Sequence, residues 1–178
     1  MNARKKQILR FAAQLLAIAA LVGIDQILKA VVTERLKGKG QFVWIPGFLS
    51  FTYAENTGAA FSMFSSDPTA LSVLTGALLT GAVIAMFFLR NVPKVYHVLI
   101  PAVIAGGVGN LVDRCLHGYV IDYIETLFVM FPIFNFADCL ITCGCFAMIG
   151  LLIFSIFRDE KKSTGTKSEN AEPEEAQS

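Results

Sequence analysis

Two aspartates, Asp122 and Asp138, stand at the borders of long apolar stretches in a strongly hydrophobic chain. A carboxylate near a bilayer is costly to keep, and it usually marks a pathway, a relay or a catalytic site. Each has a polar companion. Gly106-Gly-Val-Gly-Asn-Leu-Val-Asp-Arg114 precedes the first, and Phe134-Asn-Phe-Ala-Asp138 contains the second. If the two side chains meet, they share a proton and titrate as a pair. One then serves as general base on a water while the other, protonated, polarises a scissile carbonyl. No covalent intermediate is needed. Taken alone, Asp138 reads as a plain helix N-cap. Its company with Asp122 and two asparagine-bearing motifs is what favours chemistry.

Within or beside the apolar stretches also lie Asp25, Lys29, Asn56, Asn110, Asp113, Arg114 and Asn135. Asp25 and Lys29 are four apart on a helix and can pair, or the lysine can snorkel to the interface. Asn110, Asp113 and His117 share a helix face, with Arg114 close by as the natural partner of Asp113. A fixed charged network of this kind forms the second layer around a site. Gly106, Gly107 and Gly109 allow close helix approach. They are also poor helix stabilisers, so the helix is free to open there toward a ligand. Four cysteines, Cys115, Cys139, Cys143 and Cys145, read as small packing residues. Neither His97 nor His117 clusters with them at metal-ligand spacing, so no metal is expected.

These residues must be positioned by membrane helices. Of 178 residues, 54% are hydrophobic and 16% charged, with mean hydropathy +0.59, which is membrane-protein composition. A net charge of +1 gives no basic field for nucleic acid. Four apolar stretches, about 11–32, 69–90, 96–116 and 136–157, are each long enough to cross a ~30 Å hydrocarbon core. Basic clusters orient them: Arg4, Lys5, Lys6 and Arg10; Arg90 and Lys94; Arg158, Lys161 and Lys162. The positive-inside rule puts all three clusters, and both termini, in the cytoplasm. Arg35, Lys37 and Lys39 weaken the contrast without reversing it. The first span reads as an uncleaved anchor, because no small-x-small cleavage site followed by a soluble domain is visible.

The expected fold is therefore an all-α membrane protein of four transmembrane helices, residues 1–158, with a small β-rich extracytoplasmic subdomain. The outer loop 33–68 supplies that subdomain: Pro46-Gly47 is a turn signal, and the flanking β-branched and aromatic residues suggest two to four strands. Phe42, Trp44 and Tyr53 suit an interfacial belt on the outer leaflet. Asp122 falls in the loop after the third span. Residues 159–178 are charged and aperiodic, and read as a disordered cytoplasmic tail. In this topology the polar residues gather at the outer end. A small proton-coupled transporter or channel subunit is the alternative class. The gathering of charge at one face and the lack of an inverted repeat oppose it. No phosphate loop and no His-Glu-x-x-His occurs.

Five stretches, in this order, are similar to those of the lipoprotein signal peptidases, bacterial signal peptidase II. They are Asp25-Gln-Ile-Leu-Lys29, Asn56-Thr-Gly-Ala-Ala-Phe61, Gly106 to Arg114, Gly118-Tyr-Val-Ile-Asp122 and Phe134 to Asp138. The resemblance implies an aspartic endopeptidase of the bacterial cytoplasmic (inner) membrane, with its active site facing outward. Such enzymes remove the signal peptide of a prolipoprotein just before a cysteine bearing a diacylglyceryl group. Asp122 and Asp138 match the catalytic pair. Asn56, Asn110, Arg114 and Asn135 match its polar shell, and Gly58, Asp113, Asp25 and Lys29 fall within the matching motifs as supporting positions. The implied partners are lipid-modified prolipoproteins, membrane lipids and globomycin-type cyclic peptide inhibitors. No cofactor is implied, and a monomer is expected. One departure stands out: Tyr123 replaces the usual phenylalanine after the first aspartate, and its added hydroxyl is expected to reach interfacial water.

Overall fold

The computed structural model describes residues 2–58, 68–89 and 92–169. Residues Ala59 to Phe61 of the Asn56 motif, Arg90 of the second basic cluster, and 170–178 of the expected tail lie outside them. The elements run α1 (Ala3–Leu36), β1 (Phe42–Ile45), β2 (Leu49–Asn56), α2 (Pro68–Phe88), α3 (Tyr96–His117), β3 (Val120–Thr126) and α4 (Phe136–Glu169). All four helices are long and apolar enough to cross a membrane, in agreement with the four expected spans.

The side chains are arranged inside out. On α1 the buried residues are Gln7, Gln14, Ile18, Asp25 and Lys29, a single stripe spaced by seven and four. Leu9, Leu16, Ile24 and Ile27 point outward. In lipid the outer surface is apolar by default, so interior packing relies on small residues and polar contacts. α3 is the central helix and packs against α1, α2 and α4. Its glycines make room for each neighbour in turn. A Cβ on Gly106 would meet the Ala137 carbonyl of α4, one on Gly107 would lie 2.6 Å from Leu79 of α2, and one on Gly109 would lie 2.6 Å from Asp25 of α1. The expectation that these glycines open the helix does not hold. α3 is helical throughout, because close packing against three neighbouring helices outweighs the poor propensity of glycine.

An apolar layer of Ile18, Ile104, Ala105 and Met86 forms the core. Below it, Gln7 donates to the Phe87 carbonyl (2.9 Å) and Gln14 to that of His97 (3.2 Å). Above it lie Asp25, Lys29, Asn110 and Asp113.

The sheet is antiparallel with order β1-β2-β3. The expected turn joins β1 to β2. Pro46 and Gly47, the latter at φ +73°, are bridged by the Phe48 N–H donating to Ile45 O (3.0 Å), the pattern of a type II turn. The outer loop contributes two of the strands, and the third comes from beyond α3. Gly118, left-handed at φ 81°, ends α3 with its N–H on Arg114 O (3.0 Å) and turns the chain into β3. Asp122 therefore sits on a strand opposite Ala54 of β2, where a loop was expected. A strand fits because β2 offers Val120-Ile-Asp-Tyr-Ile a hydrogen-bonding edge. The tail expectation also needs correction over 159–169. Helical backbone continues there from α4, since extending an existing helix avoids the cost of nucleation.

The packing around the glycines gives a graded expectation. Gly106→Ala pushes a methyl against a backbone carbonyl and should lower stability in detergent by about 1–3 kcal/mol. Gly81→Ala, with nothing within 4 Å of its Cβ, should be neutral or gain up to about 1 kcal/mol. Thermal unfolding of the two purified variants checks this; equal losses would remove the hub role of α3.

Candidate active site

The start of α4 is built around Asn135. Its side-chain Oδ1 accepts the Asp138 N–H (2.9 Å), and its own N–H donates back to Asp138 Oδ2 (3.1 Å). This is a reciprocal capping box with Asn135 as the cap and Asp138 three residues in. Asp138 is thus not the plain N-cap that its sequence position allowed. Upstream, residue 134 is stitched to β3: Phe134 N–H donates to Ile124 O (3.0 Å), and Phe134 O accepts from Ile124 (2.7 Å) and Tyr123 (3.0 Å). The strand carrying Asp122 and the helix carrying Asp138 are therefore one rigid corner.

Amide groups reach all four oxygens of the two carboxylates. Asn135 Nδ2 donates to Asp122 Oδ1 (2.6 Å) and Asn56 Nδ2 to Asp122 Oδ2 (2.9 Å). Asn110 Nδ2 donates to Asp138 Oδ1 (2.8 Å), while the Asn135 N–H holds Oδ2. Asn56 is itself oriented by the Gly58 N–H on its Oδ1 (3.0 Å). Asp122 is only 2% exposed. Burial pushes its carboxyl up to about 6; the Asn56 hydrogen bond opposes that, and the negative charge of nearby Asp138 adds to it. Both aspartates, with Asn56, Gly58, Asn110 and Arg114, line a cavity of about 410 Å³.

A buried ion cluster lies behind this corner. Lys29 Nζ is 2.8 Å from Asp25 Oδ2 and 2.8 Å from Asp113 Oδ2, and donates to Asn110 Oδ1 (3.0 Å). All three charged side chains are at most 1% exposed. Lys29 therefore does not snorkel, and Asp113 pairs with it, not with Arg114. The reason is geometric: helix neighbours i and i+1 point apart, whereas Lys29 arrives from α1. Arg114 turns the other way, toward Gly58 O (3.3 Å) and Asn110 O (3.5 Å), and among the described residues its Nε has no partner. The two structural carboxylates also grip the site. Asp25 Oδ1 accepts the N–H of Ala137, the residue before Asp138 (3.1 Å). Asp113 Oδ2 also accepts the N–H of Ile121, the residue before Asp122 (3.1 Å).

Not every expected residue joins. His117 is exposed and stacks on Tyr119 (5.7 Å) away from the dyad. Two contributions escape the sequence reading. Gln26 donates to Asp113 Oδ1 (3.0 Å) and Gly109 O (3.2 Å), a role that its place three residues before Lys29, on the same helix face, could have signalled. Cys139, Thr142 and Cys143 line the α4 side of the cavity, at positions one, four and five beyond Asp138. The Tyr123 hydroxyl does not reach interfacial water: the side chain is 4% exposed and the hydroxyl accepts the Phe136 N–H (3.3 Å).

Removing the central cation tests the cluster. Lys29→Met leaves two buried carboxylates facing each other and should destabilise the fold by about 3–5 kcal/mol, read as a collapse of the melting temperature in detergent. A melting temperature like that of the unsubstituted protein would show the cluster to be dispensable.

Comparison with known proteins agrees with this architecture. Residues 17–156 match the family model described as signal peptidase (SPase) II. The lipoprotein signal peptidase of Enterococcus faecalis is 35% identical over 154 residues, covering 85% of this chain and 92% of that protein. That of Lactobacillus gasseri is 35% identical over 158 residues, covering 89% and 98%. A bacterial membrane enzyme solved by the in meso method at 2.3 Å superimposes with a TM-score of 0.70 at 30% identity, covering 93% of this chain and 95% of its own. A second, solved at 1.9 Å, gives 0.69 at 33%, covering 79% and 92%. With four membrane-crossing helices, a three-stranded sheet and sequence agreement over most of its length, the chain belongs to the signal peptidase II family, the membrane proteases that remove lipoprotein signal peptides.

Proposed function

We propose that the protein works as an aspartic endopeptidase that cuts diacylglyceryl-modified prolipoproteins just before the lipidated cysteine, with Asp122 and Asp138 as the catalytic pair. The observation that carries this reading is the amide pairing of all four carboxylate oxygens around one shared asparagine, at the wall of a cavity. Such a shell fixes both carboxylates before substrate arrives, which is where preorganised catalysis gains its rate.

The pair shares one proton, and the burial that pushes the Asp122 carboxyl up to about 6 favours Asp122 as its holder. Ionised Asp138 takes a proton from a water set between the carboxyls. The resulting hydroxide attacks the scissile carbonyl carbon, whose oxygen takes the proton of Asp122. Collapse of the tetrahedral diol expels the amine, protonated by Asp138, and returns a proton to Asp122. Arg114, at the cavity wall and with its Nε lacking a partner among the described residues, would hold a substrate carbonyl. Asn56, Gly58, Asn110 and Asn135 orient the pair, and Asp25, Lys29 and Asp113 hold the backbone beneath it. The distribution of basic residues favours an outward-facing site in the bacterial cytoplasmic membrane, with both termini inside. Globomycin-type cyclic peptides are the inhibitors that this reading implies for the same cavity.

Asp122→Asn and Asp138→Asn each keep the shape of the side chain. Either should cut cleavage of a lipidated precursor in micelles at least about a hundredfold, with the fold preserved by circular dichroism. A normal rate in one variant removes that residue from the chemistry. Asn56→Ala deletes a donor that favours ionised Asp122 and so raises its pKa. Activity needs the dyad proton and is lost as pH rises through that value. The alkaline limb of the pH–rate profile should therefore move up by about one unit, the worth of one charge-assisted hydrogen bond. A downward shift would assign the proton elsewhere.

A further inference from the structure

We propose that Tyr123 is a positioning residue for Asp138: its hydroxyl locks the first turn of α4 to the strand that carries Asp122. The proposal rests on the aspartic-peptidase reading above. An α-helix leaves its first N–H groups without partners inside the helix. In α4 each goes to a different part of the molecule. Phe136 N–H donates to the Tyr123 hydroxyl (3.3 Å), Ala137 N–H to Asp25 Oδ1 (3.1 Å), and Asp138 N–H to Asn135 Oδ1 (2.9 Å). The first of these is the one supplied by a β3 side chain.

Successive strand residues point to opposite faces. Asp122 thus takes the Asn135 amide from one face of β3, and Tyr123 takes the Phe136 N–H from the other. Three consecutive residues, Phe134, Asn135 and Phe136, are held by β3 through backbone, carboxylate and phenol respectively. The ring is enclosed, with Phe51 at 6.5 Å, so the oxygen has little freedom to leave. Burial also raises the phenol far above its ordinary range, against the opposing Phe136 hydrogen bond, so the group is a neutral phenol. A phenylalanine here keeps the ring but leaves the Phe136 N–H without that acceptor, and the start of α4 loses one of its three ties to the strand bearing Asp122.

The test compares Y123F with Y123L by two readouts: kinetics on a diacylglyceryl-modified precursor, and amide hydrogen exchange over 134–140 in detergent. Y123F should lower kcat about three- to tenfold with KM within about twofold, the scale of one lost helix cap. Its Phe136 amide should lose about tenfold protection while the melting temperature stays near that of the unsubstituted protein. Y123L, which also loses the ring, should in addition lower the melting temperature. Unchanged kcat and exchange in Y123F overturn the proposal. So does a Y123F protein that loses kcat, KM and melting temperature in step with Y123L, because the hydroxyl is then merely structural. Should the unsubstituted protein fail to cleave, the peptidase reading falls and exchange at Phe136 alone decides. Lost protection in Y123F then upholds the clamp, and retained protection overturns it.

Discussion

The Lys29 ammonium, buried between Asp25 and Asp113, is the constraint on which the rest of the site depends. Three charged groups taken out of water are costly, and a well-packed apolar replacement is often more stable. What the cluster supplies is position. Each of its carboxylates holds the backbone N–H of the residue just before a catalytic candidate, Ile121 on β3 and Ala137 on α4. One cation therefore sets two remote chain segments against each other. It also orients Asn110: a lysine only donates, so the amide must present its oxygen to Lys29 and its NH2 to Asp138.

This arrangement requires α3 to lie close to three helices at once, and the glycines meet that requirement. Gly109 is the sharpest case, because a Cβ there would collide with the very Asp25 oxygen that binds Lys29. Packing and electrostatics are thus a single requirement: without the close approach, α1 cannot deliver its lysine to Asn110. The exposed aromatic edge, with Phe48 stacked on Phe128 at 4.7 Å, belongs to the sheet that carries Asn56 and Asp122.

Much of this was legible in the residues. Four apolar stretches of bilayer length announced the helices, and the spacing of Asp25 and Lys29 announced their pairing. The partner of Asp113 was not legible, because the competing candidate, Arg114, is adjacent in sequence but directed elsewhere by the helix. β3 was hidden for a related reason. Its seven residues become a strand through pairing with β2, far away in the chain, and no local pattern reports such a partner. Tyr123 looked like a conservative aromatic exchange; only the corner geometry shows its oxygen facing a helix start.

The apolar layer of Ile18, Met86, Ile104 and Ala105 lies between the ion cluster and the polar contacts of Gln7, Gln14 and His97. None of the four side chains in that layer is ionisable, so these residues do not join the charged groups above them to the polar contacts below. A proton bound among Asp25, Lys29 and Asp113 finds no acceptor in that layer to pass it on, and the core is divided there into two electrically separate halves.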